Sequence, residues 1–209
     1  MKNARLASVM PLALAAILGA AALSRASEPT LSLSRTVITD SYGRSRVLFE
    51  IPSLQEYREE WVSSATLILD LPPGSFPGEV ELLVDAIATP WGGSATWSSP
   101  WTHPGGDVKG QTGDGTTLAA GPSPSQVRLD VTTALRGMVE GDLGEYGLIV
   151  YPSDPAKPGF TAAESQVLAS ANGTLALRVR SLTARGYHGG AKALLDRKRN
   201  ARLLEDHPR

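Results

Sequence analysis

Apolar side chains recur at every second position through much of this chain. That period puts them on one face of an extended strand and leaves the intervening residues facing water. Leu31, Leu33 and Val37 show it first, then Val47, Phe49 and Ile51. Residues 65–71 alternate more cleanly and stop at Pro72-Pro73-Gly74, where a fixed φ and a missing amide donor end a ladder. Residues 80–86 resume the pattern after Pro77-Gly78, so the segments at 65–71 and 80–86 are predicted to be neighbours joined by a turn. Residues 127–131 alternate as well. Residues 146–151 are apolar on both faces, as in a central strand, and 175–179 complete the set with Thr174, Arg178 and Arg180 on the wet side.

One short helix interrupts the strands. Thr132 or Thr133 can cap it, Ala134, Leu135, Met138 and Val139 fall at helical spacing, and Gly141 ends it. Seven alternating segments without repeating strand-helix units predict an all-β, antiparallel, jelly-roll-like sandwich. Residues 102–125 are mainly Gly, Pro, Ser and Thr and are predicted to be a long, flexible surface loop.

The two ends of the chain read differently from its body. Lys2 and Arg5 precede an apolar run at 9–22, followed by small-residue cleavage sites at 24–26 or, earlier, 20–22. That is the layout of a secretory signal peptide over residues 1–26, with an uncleaved anchor as the alternative. Residues 27–183 then form the expected single domain, holding 10 Lys/Arg against 18 Asp/Glu, a net of −8. Residues 184–209 hold 7 against 3, a net of +4, and predict a basic tail that is a solvated terminal helix or frayed end, with docking on an anionic surface as the alternative. An acidic body is a poor partner for nucleic acid. With no cysteine, disulfides, a lipid-anchoring thiol and a thiolate nucleophile are excluded.

Several segments taken in order carry a family resemblance: residues 65–69, Thr96-Trp97, the run 129–132 leading into the short helix, Tyr146-Gly147-Leu148, and 160–165 before a last strand. This order resembles DNRLRE domains, which are similar to carbohydrate-binding modules and to TGF-β propeptide-like sandwiches. The resemblance spans roughly residues 30–182 and implies a glycan or extracellular-surface ligand. Three features depart from the pattern: a shortened start near Asp40, Ala162-Ala163 in place of two serines, and the length of 102–125.

Catalytic patterns are absent. His188 and His207 lie in the tail and His103 in the predicted loop, and there is no Gly-x-Ser-x-Gly elbow, His-Glu-x-x-His or phosphate-binding glycine loop. No cofactor is expected, although Glu79, Glu81 and Asp85, predicted on one face of a strand, are weak candidates for structural calcium or a catalytic acid. The tryptophans are the sharper signal, because an indole face can stack on the C–H face of a sugar. Trp91, Trp97 and Trp101 crowd one turn-rich segment. Trp101 and Trp91, with Tyr151, are the expected platform, Trp97 is expected in the core, and Arg178 and Arg180 are candidate carboxylate partners. Trp61 is expected to cover an end of the sheet. The leading expectation is a secreted, non-catalytic module that binds polysaccharide or another cell-surface or matrix component. A structural or adhesive module and a polysaccharide-degrading enzyme are the alternatives.

Overall fold

Period-two alternation dictates strands, and their apolar sides must find one another. A computed structural model describes residues 29–181 apart from 59 and 155, so the segment expected to be a signal peptide and the basic tail lie outside the described residues. Chain order is β1 (Thr30–Thr39), β2 (Ser45–Glu50), a 3-10 turn (Gln55–Tyr57), β3 (Glu60–Asp70), β4 (Ser75–Phe76), β5 (Val80–Ala86), β6 (Gly115–Leu118), β7 (Gly121–Pro122), β8 (Gln126–Asp130), α1 (Thr132–Glu140), β9 (Leu148–Pro152), α2 (Ala162–Leu168) and β10 (Asn172–Ser181).

Eight strands form an antiparallel sheet in the order β6-β5-β9-β2-β1-β10-β3-β8. β1 joins its two halves: residues Thr30 to Leu33 pair with β10, and Ser34 to Thr39 pair with β2. The outer strands nearly meet, because the Asp114 amide just before β6 donates to the Asp130 carbonyl at the end of β8 at 2.9 Å. A sheet curled this far leaves little open edge. Phe49, Leu67, Leu82, Leu129, Leu148 and Leu175 fill its interior and are fully buried. β9 lies between β5 and β2, as its two apolar faces predict.

Three expectations are corrected. β3 and β5 are not neighbours: β3 pairs with β10 and β8, and β5 with β6 and β9. Alternation selects which face is buried but not which strand lies alongside, and after Pro72-Pro73 the chain pairs β4 with β7 before entering the other half. Residues 102–125 are not one continuous loop, since they contain β6 and β7, and the backbone of Asp107, Lys109 and Asp114 hydrogen-bonds to Ala88, Ala86 and Val84. A second helix is also present. Thr161 and Glu164 form a reciprocal capping box at the start of α2, which holds the turn after the buried Phe160.

α1 buries Ala134, Leu135, Met138 and Val139 and ends at Gly141, whose φ of +79° a side chain would disfavour. Its start differs from the prediction. The Thr132 hydroxyl accepts from the Ala65 amide at 2.9 Å, tying helix to β3, while Asp130 Oδ1 accepts the Thr132 amide at 2.7 Å.

Candidate functional site

Strands β2, β9 and β5 also carry apolar or half-buried residues outward. Leu48 and Ile149, with Ile38 from β1, form a second hydrophobic layer outside the main core. The chain between β5 and β6 folds down over it, adding Ile87 and Trp101 as buried members and Trp91, Trp97 and Val108 as partly buried ones, beside the partly buried Tyr151 of β9. Gly106, at φ +102°, lets the backbone pass so close to Ile149 that a Cβ would sit 2.8 Å from its Cδ1.

Polar groups anchor this cover. Asp107 accepts the Thr102 amide at 2.7 Å, the His103 amide at 2.9 Å and the Thr89 hydroxyl at 2.7 Å. Burial alone would raise its pKa, but these donors outweigh it and hold the carboxyl well below the usual carboxylate range. Asp85 Oδ1 accepts from the Thr112 amide and hydroxyl at 2.8 and 2.9 Å, and its Oδ2 accepts from the Tyr151 hydroxyl at 2.6 Å. The same Thr112 hydroxyl accepts from the Ala86 amide. Burial first, then the hydrogen bond to Asp85, push the Tyr151 pKa well above its ordinary value. Arg46 donates to the carbonyls of Pro158 and Gly105 at 2.6 and 3.0 Å. Its guanidinium lies 5.6 Å from the Trp97 ring centre and 5.1 Å from that of Tyr151, and burial lowers its pKa.

The expected indole platform is therefore only partly available. Trp101 is 7% exposed and donates its indole N–H to the Thr96 carbonyl at 2.7 Å, so it is a core residue and not a stacking face. Tyr151 is likewise committed, its hydroxyl to Asp85 and its ring to Arg46. Trp97 is only half-buried, short of the core position expected for it. Trp91 is likewise half-buried, donates to the Tyr146 carbonyl, and lines an open 310 Å³ groove with Pro90, Ser94, Ser99 and Pro100. The sheet brings Trp91, Trp97 and Tyr151 together but leaves Arg178 and Arg180 elsewhere. Both arginines are exposed on β10, in the other half of the sheet, where Arg180 pairs with Trp61 in register.

No family model matches the chain, and no curated protein matches it. The DNRLRE resemblance thus rests on the ordered motifs alone.

Asp85 is not on a solvent-facing acidic strip with Glu79 and Glu81. It is 4% exposed because the cover folds over that end of β5, whereas both glutamates lie outside the buried core. Among the described residues, no group of three or more acidic or histidine side chains is placed to hold a metal ion. Asp130 and Glu164 fix the starts of α1 and α2. Sequence reasoning missed the anchoring roles of Arg46 and Asp107. A cation next to an apolar pair in a strand signals nothing until the cover brings two rings and two carbonyls around it. It also missed a 440 Å³ cleft beside α1, lined in part by Ser64, Asp114, Asp130, Thr133 and Arg136.

Proposed function

We propose that this chain is an exported, non-catalytic module that binds polysaccharide through the Trp91 groove, with Trp97 extending the contact. The single observation that carries this reading is the groove's lining: a half-buried indole with two prolines, the Ser94 and Ser99 residues at hand and no titratable side chain. Rings supply an apolar floor for sugar C–H groups, and hydroxyls can donate or accept at the rim. Such a surface can hold a sugar but offers no general acid or base. Export is read from residues 1–26. The curled sheet is read as a flattened, jelly-roll-like sandwich of the DNRLRE kind, and the basic tail as an auxiliary contact for anionic surfaces.

The alternative, a structural or adhesive component joined through strand edges, has less support. The free strands β6 and β8 approach each other at Asp114 and Asp130, which leaves little edge for a partner. Titrating the full chain with a neutral and an acidic polysaccharide tests the leading reading. A micromolar to millimolar neutral-glycan affinity that drops at least tenfold in Trp91→Ala is expected. Binding unchanged in the Trp91→Ala, Trp97→Ala double variant removes this site.

A further inference from the structure

β8 ends where Asp130 pairs with Thr66, but β3 continues back to Glu60. Along the rest of that edge α1 replaces the missing strand. Arg136 donates Nε to the Val62 carbonyl at 2.7 Å and an Nη to the Ser63 carbonyl at 3.1 Å, and the Val131 amide donates to the Ala65 carbonyl at 2.9 Å. A helix turn cannot fill the edge as a strand would. The space left between β3, the start of α1 and residues 112–114 is the 440 Å³ cleft.

This cleft carries both signs of charge. Asp114 and Asp130 each commit Oδ1 to a backbone amide, Gly115 at 2.8 Å and Thr132 at 2.7 Å, which leaves Oδ2 of each as an acceptor. Ser64 and Thr133 add hydroxyls, and Arg136 forms part of the wall. The Arg136 guanidinium also sits 4.7 Å from the ring centre of Trp61, an indole that is 42% exposed. An anionic ligand would meet two carboxylates. A divalent cation would find two carboxylates and a few hydroxyls beside a guanidinium, whose charge repels it, where calcium takes six to eight oxygens. A neutral, polyhydroxylated ring meets neither objection: its hydroxyls donate to the carboxylates, and beyond Arg136 the exposed part of the Trp61 indole offers it an apolar margin.

We infer that the cleft between β3 and α1, with Trp61 at its margin, is a second binding site for a neutral saccharide, separate from the Trp91 groove. The inference rests on the reading of the chain as a glycan-binding module and makes that module bivalent, able to hold two sugar segments on different halves of one sheet. Asp114 and Asp130 set specificity through the hydroxyls they accept, and Trp61, behind Arg136, borders the site.

The four tryptophans give four indole N–H signals, so NMR titration of the full chain with cellohexaose and with mannohexaose reads both sites at once. The Trp61 signal is expected to move on titration with at least one of these probes. In Asp130→Asn the Trp61 signal is expected to need at least tenfold more ligand while the Trp91 signal titrates as before, and in Trp61→Ala, which lacks that reporter, calorimetry is expected to show the cleft weakened at least tenfold. The carboxamide oxygen in Asp130→Asn can still accept the Thr132 amide, and Trp61 is exposed, so both variants should fold. A Trp61 signal that stays still while Trp91 moves overturns the cleft and leaves the first site standing. If neither moves, both fail. Movement of Trp61 with calcium alone, or release of reducing ends that Asp130→Asn abolishes, also overturns the inference, in favour of a metal site or a hydrolase.

Discussion

The two hydrophobic layers of this molecule are built by different means. The inner core is aliphatic, with Phe49, Phe76 and Phe160 added, and comes from alternating residues of nearly every strand. The outer layer rests on three strand residues and is finished by indoles from a Gly/Pro-rich segment, so it buries less apolar surface. It also includes charged groups, each tied down: Asp85 by three hydrogen bonds, Asp107 by three, and Arg46 by two carbonyls. No buried side-chain polar atom among the described residues lacks a partner. The comparison shows that a segment poor in apolar residues can still be ordered when polar anchors fix its path, and that an indole sealed inside the layer, as Trp101 is, offers no face for recognition.

The largest effect should come from the inner layer. Phe49→Ala is expected to cost about 3–5 kcal/mol and to lower the midpoint of urea unfolding for the whole domain, with the m-value unchanged. A loss near zero would mean that the outer layer, not this core, holds the sheet together.

The outer layer should respond next. Asp85→Ala removes the acceptor for Tyr151 and Thr112 and leaves buried donors without partners, a loss of about 3 kcal/mol. Hydrogen exchange should locate the added opening in residues 102–114 while amides of β3 and β10 stay protected. Uniform loss of protection would show the two layers to be one cooperative unit. Tyr151→Phe, which removes only the hydroxyl, should cost about 1 kcal/mol in thermal unfolding.

The smallest effect is a pH dependence confined to the cover. Asp107 has a folded pKa below its ordinary 3.8, so the unfolded chain takes up the proton first as pH falls. Its contribution is complete above about pH 4 and fades as pH drops towards the folded value. Tyr151 behaves in the opposite sense. Its folded pKa lies above the ordinary 10.0, so its contribution is complete below about pH 10 and is lost as pH rises further. Tryptophan emission followed across pH should show the acid arm flattened in Asp107→Asn and the alkaline arm flattened in Tyr151→Phe. Unchanged arms would mean that other groups set them.

Strand existence was legible because alternation at positions such as 65–71 and 127–131 has one physical meaning. α1 was legible from apolar spacing and Gly141. α2 was not, because its seven residues are too few for a period to stand out, even though the Thr161–Glu164 box marks its start. The tryptophan segment was visible as a cluster, yet its rings could not be sorted. Whether Trp91 or Trp101 faces out depends on where Asp107 and Gly106 turn the backbone, and spacing along the chain carries no record of that. Arg178 and Arg180 are on the wet side, as alternation predicts, but they lie opposite Ser64 and Trp61 on β3, away from Trp91.

Sequence alone determined that this is an antiparallel β protein with an aliphatic interior, because side-chain period and the cost of exposing apolar surface act residue by residue. Tertiary structure decided which strands lie together, which acids are buried anchors, and which indoles remain at the surface. Those outcomes depend on how a polar segment drapes over one half of a curled sheet, and contacts between residues far apart in the chain leave no local pattern to read.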